Sequence, residues 1–409
     1  MGMPLLEAKL GAGRVLAREA DWGLYVLNSS ASMLWELHSA GWDAEGMASL
    51  LSQGFGLDGE TALRQIESML GQWRQAGLIG TAISAMPREN QAIDLSDPPP
   101  PNLPPWGGGV NSILLGRGDV HQSPACPTHP DPQPTYFTLT VAGMRLDLAI
   151  DDAVLVQCAA PLLQSLRTED AGRIVHCLHL AGSVADWTLW LDDAVEAEGQ
   201  GADDALVMTV RTLVDIGCDQ SKRLMVIHGA GLALDDERGL LLIAPGGSGK
   251  TTLAAALNAA GYGLLSDDVV PVTQGGELVG LGMPLCLKAG SWPVLSSCRS
   301  DLDESAIVWR YGAPVRYVPP CGQRVDGLLR PGLLLFPRYQ PCSMAELTAL
   351  TPEEVLQGVV EAEAVIRDLN QEKLEAIARW VSSTPAYALT YPDLASGLEL
   401  VRVVQRFQD

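Results

Sequence analysis

The chain has 409 residues, of which 47% are hydrophobic, and its formal net charge at pH 7 is −22. A chain of this length exceeds one ordinary core and predicts two or three domains. Its negative charge would repel a nucleic-acid backbone, and no run of lysines or arginines supplies a local basic patch. The composition therefore argues against nucleic acid as a partner.

Targeting and membrane signals are absent from the sequence. No stretch reaches the roughly 18 apolar residues that a membrane span needs, and the N-terminus lacks the order of a secretory signal. The eight cysteines stand singly, with no CxxC, as is typical of reduced thiols. We expect a cytoplasmic protein that does not contact a membrane.

Residues 1–88 predict a small domain. A short strand at Leu24–Leu27 precedes a first helix, and a second helix is expected at about Ala44–Ser52. The third helix repeats its apolar residues every three or four positions: Leu63, Ile66, Leu70 and Trp73. This order is typical of a winged-helix-like module. DNA binding is not favoured, because the domain carries nine acidic against six basic side chains.

Residues 89–133 contain "SDPPPPNLPPWGGGVN" and predict a linker, although a proline-rich docking segment is the alternative. Residues 134–409 predict a mixed α/β domain. Alternating apolar residues indicate a hairpin that turns at Ala142-Gly143. A helix at Asp203–Asp215 and strands at Arg223–Ile227 and Gly239–Ile243 follow, and two helices occupy the C-terminal part.

The stretch "LLLIAPGGSGKTTLAAAL", residues 240–257, joins a buried strand to a helix through a glycine-rich turn. Such a turn directs backbone N–H groups at one point, where the helix dipole favours an anion. The residues predicted to bind nucleotide phosphates are Gly246, Gly247, Ser248, Gly249, Lys250, Thr251 and Thr252. Among them, Lys250 can reach phosphate oxygens and Thr251 can ligate Mg²⁺. Ala244 replaces the usual first glycine at a position that tolerates a small side chain.

Asp267 and Asp268 follow a predicted strand at Tyr262–Ser266, seventeen residues after Lys250. We call the glycine-rich turn the phosphate cradle and the strand before it the cradle strand. If the strand at Tyr262–Ser266 is the parallel neighbour of the cradle strand, both carboxylates lie where the cradle opens. One could hold Mg²⁺ and the other could accept a proton. His228 ends the predicted strand that comes before the cradle strand, and it is a further candidate catalytic residue. "HCLH" at 176–179 lacks convincing metal-ligand spacing.

Together, His228-Gly229, "APGGSGKTT" and "LLSDD" resemble the bacterial HPr kinase/phosphorylase superfamily over about Tyr136–Gln408, and more specifically its relatives in peptide-modification gene clusters. The resemblance implies a P-loop kinase fold with a mixed sheet and flanking helices, and formation of homo-oligomers. It implies Asp267 as the general base toward a serine hydroxyl, Lys250 on the phosphates, His228 near the transferred phosphate, and Thr251 as a Mg²⁺ ligand. In the catalytic hypothesis, Asp268 helps Thr251 to bind Mg²⁺.

The glutamate-containing signature of HPr kinases proper has no counterpart here; "GMPLCLKAGSW" stands in its region. HPr as the substrate and the phosphorylase reaction are therefore in question. Further candidate phosphate or substrate contacts are Lys288, Arg316 and Arg338.

The N-terminal segments "YVLNSSASMLWELHSAG" and "LGQWRQAGLIG" resemble the PqqD family over about residues 5–80. This resemblance implies a module that binds leader segments of ribosomally made peptides, by strand addition at a sheet edge.

The sequence thus predicts an ATP- and Mg²⁺-dependent phosphotransferase that phosphorylates a serine or threonine hydroxyl on a precursor peptide held by the N-terminal domain. Two alternatives stay open. The first is a kinase for a small hydroxylated molecule, and the second is a non-catalytic, nucleotide-dependent peptide chaperone or scaffold. ATP, GTP and pyrophosphate all remain candidate donors.

Overall fold

The computed structural model describes residues 5–18, 23–55, 58–79, 133–169, 172–322, 325 and 327–407. The strands in these residues are β1 (Leu5–Leu10), β2 (Gly13–Arg18), β3 (Gly23–Leu27), β4 (Thr135–Val141), β5 (Met144–Ile150), β6 (Ile174–Ser183), β7 (Asp186–Leu191), β8 (Ala194–Gly199), β9 (Arg223–Ala233), β10 (Arg238–Ile243), β11 (Leu264–Ser266), β12 (Val269–Thr273), β13 (Leu278–Val279), β14 (Leu285–Lys288), β15 (Ile307–Arg310), β16 (Ala313–Val318), β17 (Leu328–Tyr339), β18 (Glu346–Ala349) and β19 (Ala386–Tyr391). The α-helices are α1 (Ser29–Ser39), α2 (Ala44–Phe55), α3 (Gly59–Gln75), α4 (Ala153–Leu163), α5 (Ala202–Cys218), α6 (Lys250–Ala259), α7 (Trp292–Leu295), α8 (Pro352–Glu361), α9 (Gln371–Ser383) and α10 (Leu394–Arg406).

These elements confirm the predicted mixed α/β class. None of the described helices is long and apolar enough to span a lipid bilayer. The described residues form two compact units: the first lies within 1–115, 351–360 and 369–383, and the second within 116–350, 361–368 and 384–409. The first unit therefore includes most of α8 and all of α9. The predicted linker lies almost entirely outside the described residues, and the predicted domain boundaries stay a prediction.

The first unit is an antiparallel sheet in the order β1-β2-β3, packed with α1, α2 and α3. Side-chain caps begin two of the helices: Asn28 accepts from the Ala31 amide, and Asp58 accepts from the Thr61 amide. In the core, the rings of Trp35 and Trp73 meet edge to face, with centroids 5.2 Å apart. The apolar face predicted for the third helix packs into this core.

The two edges of this small sheet differ. Helix α9 packs against β1, and the Gln371 side chain accepts from the Glu7 amide (3.3 Å) and donates to the Glu7 carbonyl (2.7 Å). Those backbone groups, which a further strand would need, are therefore already bonded. Strand β3 pairs only with β2 among the described strands.

The second unit begins with a sheet in the order β4-β5-β6-β7-β8. The predicted hairpin is present, and both of its turn residues, Ala142 and Gly143, have positive φ. Helices α4 and α5 pack together, and α5 also contacts β4, β7, β8 and β12. Through these contacts α5 reaches the larger sheet that carries the candidate site.

The larger sheet follows the order β10-β9-β12-β13-β17-β19-β18, with β11 also paired to β9. Strand β17 pairs in parallel with both β10 and β19. The carboxyl ends of β10, β17 and β19 therefore lie at one edge of the sheet. Apolar side chains of α6 and α10 join the core with these strands.

The third sheet of the second unit, in the order β14-β16-β15, packs beside α6. Its β15–β16 hairpin turns through Tyr311 and Gly312, both at positive φ. The turn brings the last residue of β15, Arg310, to the candidate site.

Candidate active site

A glycine-rich loop at residues 244–249 connects β10 to α6, as predicted. Gly247 and Gly249 have φ of 83° and 93°, a left-handed conformation that favours glycine. A Cβ on Gly246 or Gly247 would meet no atom within 4 Å, so the space over the loop is open. Ala244 is buried in the core without conflict. The loop thus has the shape of a phosphate cradle.

Lys250, the first residue of α6, has a buried side chain that lies against the loop. Its Nζ donates to the carbonyls of Ala244 (2.6 Å) and Pro245 (3.1 Å). Burial lowers the pKa of Lys250, while the negative charges of Asp268 and Asp267 act in the opposite direction. The Lys250 ammonium thus contacts the loop directly and interacts electrostatically with Asp267 and Asp268, which we call the acid pair.

Two hydroxyl groups beside Lys250 differ in their partners. The Ser248 Oγ is buried and makes no hydrogen bond within the described part of the chain. The Thr251 hydroxyl donates to Asp267 Oδ1 at 3.0 Å. Thr251 therefore ties the first turn of α6 to the acid pair, whereas Ser248 retains an unused buried polar atom. Thr252 follows in the same helical turn.

Asp267 is 5% exposed, and both of its carboxylate oxygens accept hydrogen bonds. Besides Thr251, the backbone amide of Cys286 donates to Oδ2 at 2.9 Å. Burial, followed by the nearby charge of Asp268, raises the pKa of Asp267 to about 6. A carboxyl group with this pKa changes its protonation state close to neutral pH.

Asp267 and Asp268 lie between β11 and β12, two short strands that pair with the same neighbour. This position differs from the predicted one, next to the cradle strand. Strands β11 and β12 both pair antiparallel with β9, and β9 separates them from β10. Strand β11 runs in the direction of β10 without being its neighbour. The prediction of an adjacent strand was wrong because β9, which precedes the cradle strand in the chain, inserts between the two by hairpin pairing.

The break between β11 and β12 also orients the two carboxylates. In a regular strand, consecutive side chains point to opposite faces. Asp268 has a φ of 75°, and its carbonyl accepts from the Gly229 amide at 3.1 Å. This left-handed residue changes the direction of the chain, so that Asp267 and Asp268 both line the same cavity.

Asp268 is partly exposed and has two basic neighbours. Arg310 Nη2 donates to its Oδ2 at 2.9 Å, and His228 Nε2 lies 3.7 Å from its Oδ1. Burial, followed by the positive charge of Lys250, lowers the pKa of His228. His228 is therefore predominantly neutral at pH 7 and can accept a hydrogen bond.

Arg310, Cys286 and Glu363 belong to the site but were missed from the sequence. Arg310 Nη1 donates to the Cys286 thiol at 3.1 Å. Val226 bridges Val365 in antiparallel register, which brings the segment that contains Glu363 to β9. The negative charge of Glu363 raises the pKa of His228, against the dominant effect of burial. These residues come from distant parts of the chain and carry no recognisable spacing; only the left-handed Glu363 is locally unusual.

A cavity of about 160 Å³ opens beside the acid pair. One wall is apolar and comes from α5, through Val207, Val210 and Val214. At the polar end, Tyr317 is 8% exposed, and its hydroxyl has no hydrogen-bond partner of suitable geometry among the described residues. The cavity therefore joins an apolar wall to unsatisfied and charged polar groups.

The remaining candidates lie in different surroundings. Lys288 ends β14, the strand in which the Cys286 amide donates to Asp267, so Lys288 lies two residues from a contact of the acid pair. Arg338 is exposed near the carboxyl end of β17. Arg316 instead bonds the Leu302 carbonyl and Asp303 and stacks over Trp292. The structure thus brings Lys288, but not Arg316, toward the acid pair.

The histidines of "HCLH" are each paired with an aspartate. His176 Nδ1 lies 2.9 Å from Asp192, and His179 Nε2 lies 2.8 Å from Asp151. Within the described ranges, no group of three or more His, Cys, Asp or Glu side chains could hold a metal ion.

Comparisons with known proteins bear mainly on the first unit. Residues 13–79 match the family model described as coenzyme PQQ synthesis protein D (PqqD), which confirms the predicted PqqD-like module. Among solved structures, the Hpr(Ser) kinase/phosphatase from Coxiella burnetii is similar at 15% identity over 45% of this chain and 95% of that chain, with a TM-score of 0.23. Curated proteins give no match.

Proposed function

We propose that this protein is an ATP-dependent kinase that phosphorylates a serine or threonine hydroxyl on a ribosomally made precursor peptide. The observation that carries the proposal has two parts: Asp267, Asp268 and Arg310 line one cavity, and the Thr251 hydroxyl joins Asp267 to the helix that follows the glycine-rich loop and begins with Lys250. Phosphoryl transfer requires phosphate binding, charge neutralisation and proton removal at one place. The proposed roles of the individual residues follow from their environments.

The residues of the loop fit a triphosphate. Two left-handed glycines shape a cradle with open space above it, and the buried Ser248 hydroxyl has a free hydrogen-bonding capacity for a phosphate oxygen. Lys250 would exchange its bonds to loop carbonyls for bonds to phosphate oxygens. Thr252, in the first turn of α6, lies where the helix dipole favours an anion.

Two residues beside the loop fit Mg²⁺, a hard cation that prefers oxygen ligands. Thr251 Oγ1 and the carboxylate of Asp268 are the proposed protein ligands. Mg²⁺ in phosphoryl-transfer sites is usually held by one or two carboxylates together with substrate phosphates. A site with few protein ligands is therefore suitable. When bound, the ion would neutralise charge on the phosphates.

Asp267 is the proposed general base. Its pKa of about 6 leaves it mostly ionised at pH 7, yet basic enough to receive a proton from a hydroxyl. A carboxylate has about four acceptor positions, and the bonds from Thr251 and Cys286 use two. The attacking hydroxyl can therefore donate to Asp267 while these bonds hold the carboxylate in place.

Arg310 and His228 would complete the charge environment. Arg310 holds Asp268 at the cavity, and its cation can stabilise the charge that develops on the transferred group. His228 is neutral and half-buried, and its Nε2 lies 3.7 Å from Asp268 Oδ1. We assign it to contact with the transferred phosphate.

The first unit would supply the peptide. Modules that bind peptides by strand addition need an open sheet edge, where main-chain hydrogen bonds give affinity. Helix α9 and Gln371 close the β1 edge. We therefore place the leader segment of the precursor along β3.

The test is transfer of radioactive γ-phosphate from ATP to a precursor peptide, with the same core peptide lacking its leader as the comparison. We expect wild-type protein to phosphorylate the full precursor, and removal of the leader to lower kcat/KM by about tenfold or more, because capture raises the local concentration of the acceptor. ATP binding without transfer would contradict the kinase and favour the scaffold.

A kinase for a small hydroxylated molecule is the second candidate, and the cavity itself favours it. A volume of about 160 Å³ is close to that of an apolar protein cavity of roughly 150 Å³ that binds benzene. A small molecule could thus occupy it alone. Equal turnover of leader-containing and leader-free peptides, with faster turnover of small alcohols, would support this candidate.

A further inference from the structure

Two tyrosines lie on the side of the cradle away from the acid pair. Tyr339 ends β17 and Tyr391 ends β19, and the two are register partners in the parallel pairing of these strands. Their ring centroids are 5.8 Å apart, with the planes inclined by 52°. The mechanism proposed above uses neither residue.

Both tyrosines contact the cradle. A Cβ built on Gly249 would lie 3.0 Å from the Tyr391 hydroxyl and 3.6 Å from the Tyr339 Cβ. Gly249 is the last loop residue before Lys250, so the aromatic pair borders the phosphate site directly. A nucleoside joined to phosphates in the cradle could reach this pair without crossing the loop.

The two rings differ in exposure. Tyr391 is 2% exposed and belongs to the core, whereas Tyr339 is 53% exposed. The Tyr339 hydroxyl makes no hydrogen bond within the described ranges. The backbone beneath it is fixed, because the Gln340 amide donates to the Tyr391 carbonyl at 3.0 Å. An exposed aromatic ring on a fixed backbone is a ready stacking surface.

Tyr339 and the acid pair lie on opposite sides of β10. Strand β9 lies on one side of β10, and the acid pair lies beyond it, between β11 and β12. Strands β17 and β19 lie on the other side of β10. A phosphate chain lying over the loop, with its terminal group toward Asp267, would direct the remainder of the donor toward Tyr339.

We infer that the base of the nucleoside triphosphate donor stacks on Tyr339. The inference rests on the proposed phosphate-binding function of the loop and adds to it the site of the base. Tyr339 is a specificity residue, because it would contact only the base. Tyr391 is a positioning residue that supports the Tyr339 ring from the core.

The test compares the affinities of ATP and inorganic tripolyphosphate by calorimetry in the presence of Mg²⁺. Loss of base stacking should weaken ATP binding by Tyr339→Ala about tenfold and leave tripolyphosphate binding unchanged. Tyr339→Phe keeps the ring and should retain the wild-type affinity for ATP. Tyr136→Ala removes another exposed tyrosine of the same unit and is the matched control for a general effect of surface truncation.

The outcomes separate the two proposals. Unchanged ATP affinity in Tyr339→Ala, or equal weakening of ATP and tripolyphosphate, would overturn the base site while leaving the kinase proposal intact. Failure of wild-type protein to bind either ligand would overturn the phosphate site and the inference with it. A selective loss of ATP affinity that Tyr339→Phe restores would establish the base site.

Discussion

The two sides of the cradle are built on different principles. On the β9 side, Asp267 is buried, and both of its oxygens are held by hydrogen bonds. On the β17 side, Tyr339 exposes about half of its surface. Proton transfer requires fixed geometry and a shifted pKa, which burial supplies. Stacking on a base requires an open planar surface, which burial would remove.

The difference implies that substitutions on the two sides have separable effects. Changes on the acid side should alter the rate of phosphoryl transfer while nucleotide affinity stays close to that of wild type. Changes on the aromatic side should alter nucleotide affinity. An acid-side variant that lost nucleotide affinity, or an aromatic-side variant that lost transfer rate at saturating nucleotide, would show that the two sides act as one site.

The largest effect is expected for Asp267→Asn. The amide cannot accept a proton, so kcat should fall about 10²- to 10⁴-fold, the usual contribution of general acid–base catalysis. The ATP dissociation constant from calorimetry should change little. The measurement is initial-rate transfer of labelled γ-phosphate at saturating ATP.

Asp192→Asn is a matched control for this variant. Like Asp267, Asp192 accepts one hydrogen bond from a cysteine amide, that of Cys177, and one from a side chain, that of His176. It lies in the turn between β7 and β8, in the same unit. Wild-type kcat in Asp267→Asn, or an equal loss in Asp192→Asn, would show that Asp267 is not the base.

A smaller effect is expected for Arg310→Ala. Its guanidinium bonds both Asp268 and the Cys286 thiol, so its removal would free Asp268 and withdraw a cation from the cavity. We expect kcat/KM to fall about 10²-fold, the magnitude typical of losing one electrostatic contact to the transition state. Arg310→Lys should recover part of this loss, because it keeps the charge but not the paired hydrogen bonds.

Arg316→Ala provides the comparison for Arg310. Arg316 lies in the same three-stranded sheet, but it bonds Asp303 and the Leu302 carbonyl. Its removal should leave kcat/KM near the wild-type value once the folded fraction has been checked by thermal unfolding. The reverse ranking of the two variants would restore Arg316 as a substrate contact and place Arg310 in a structural role.

The cradle and Arg310 differ in how far the sequence could predict them. The cradle was predictable because its strand, glycines, lysine and helix are consecutive, and local patterns encode them. The hairpin and the amphipathic third helix were predictable for the same reason. Arg310 was not, because its approach to Asp268 depends on the position of the β15–β16 turn, which is set by pairings across the fold.

The acid pair was predicted only in part. Its residues and their proximity to the cradle follow from the short distance in sequence, but the intervening β9 and the left-handed Asp268 do not. Strand order is determined by long-range pairing, which a single sequence does not display. The tyrosine pair was missed because two strand-end aromatics, far apart in the chain, resemble ordinary core residues until their register is known.

The smallest expected effect concerns pH and tests the coupling within the acid side. Asp267 must be ionised to act as the base, so kcat/KM of wild-type protein should fall tenfold per pH unit below its pKa of about 6 and level off above it. The charge of Asp268 raises this pKa, since it disfavours a second negative charge nearby. Asp268→Asn should therefore move the acid limb of the pH profile to lower pH, by less than the full shift, because burial is the larger cause. This displacement is independent of any loss in the plateau rate. An acid limb that stays in place, or moves to higher pH, would show that the group titrating in the profile is not Asp267.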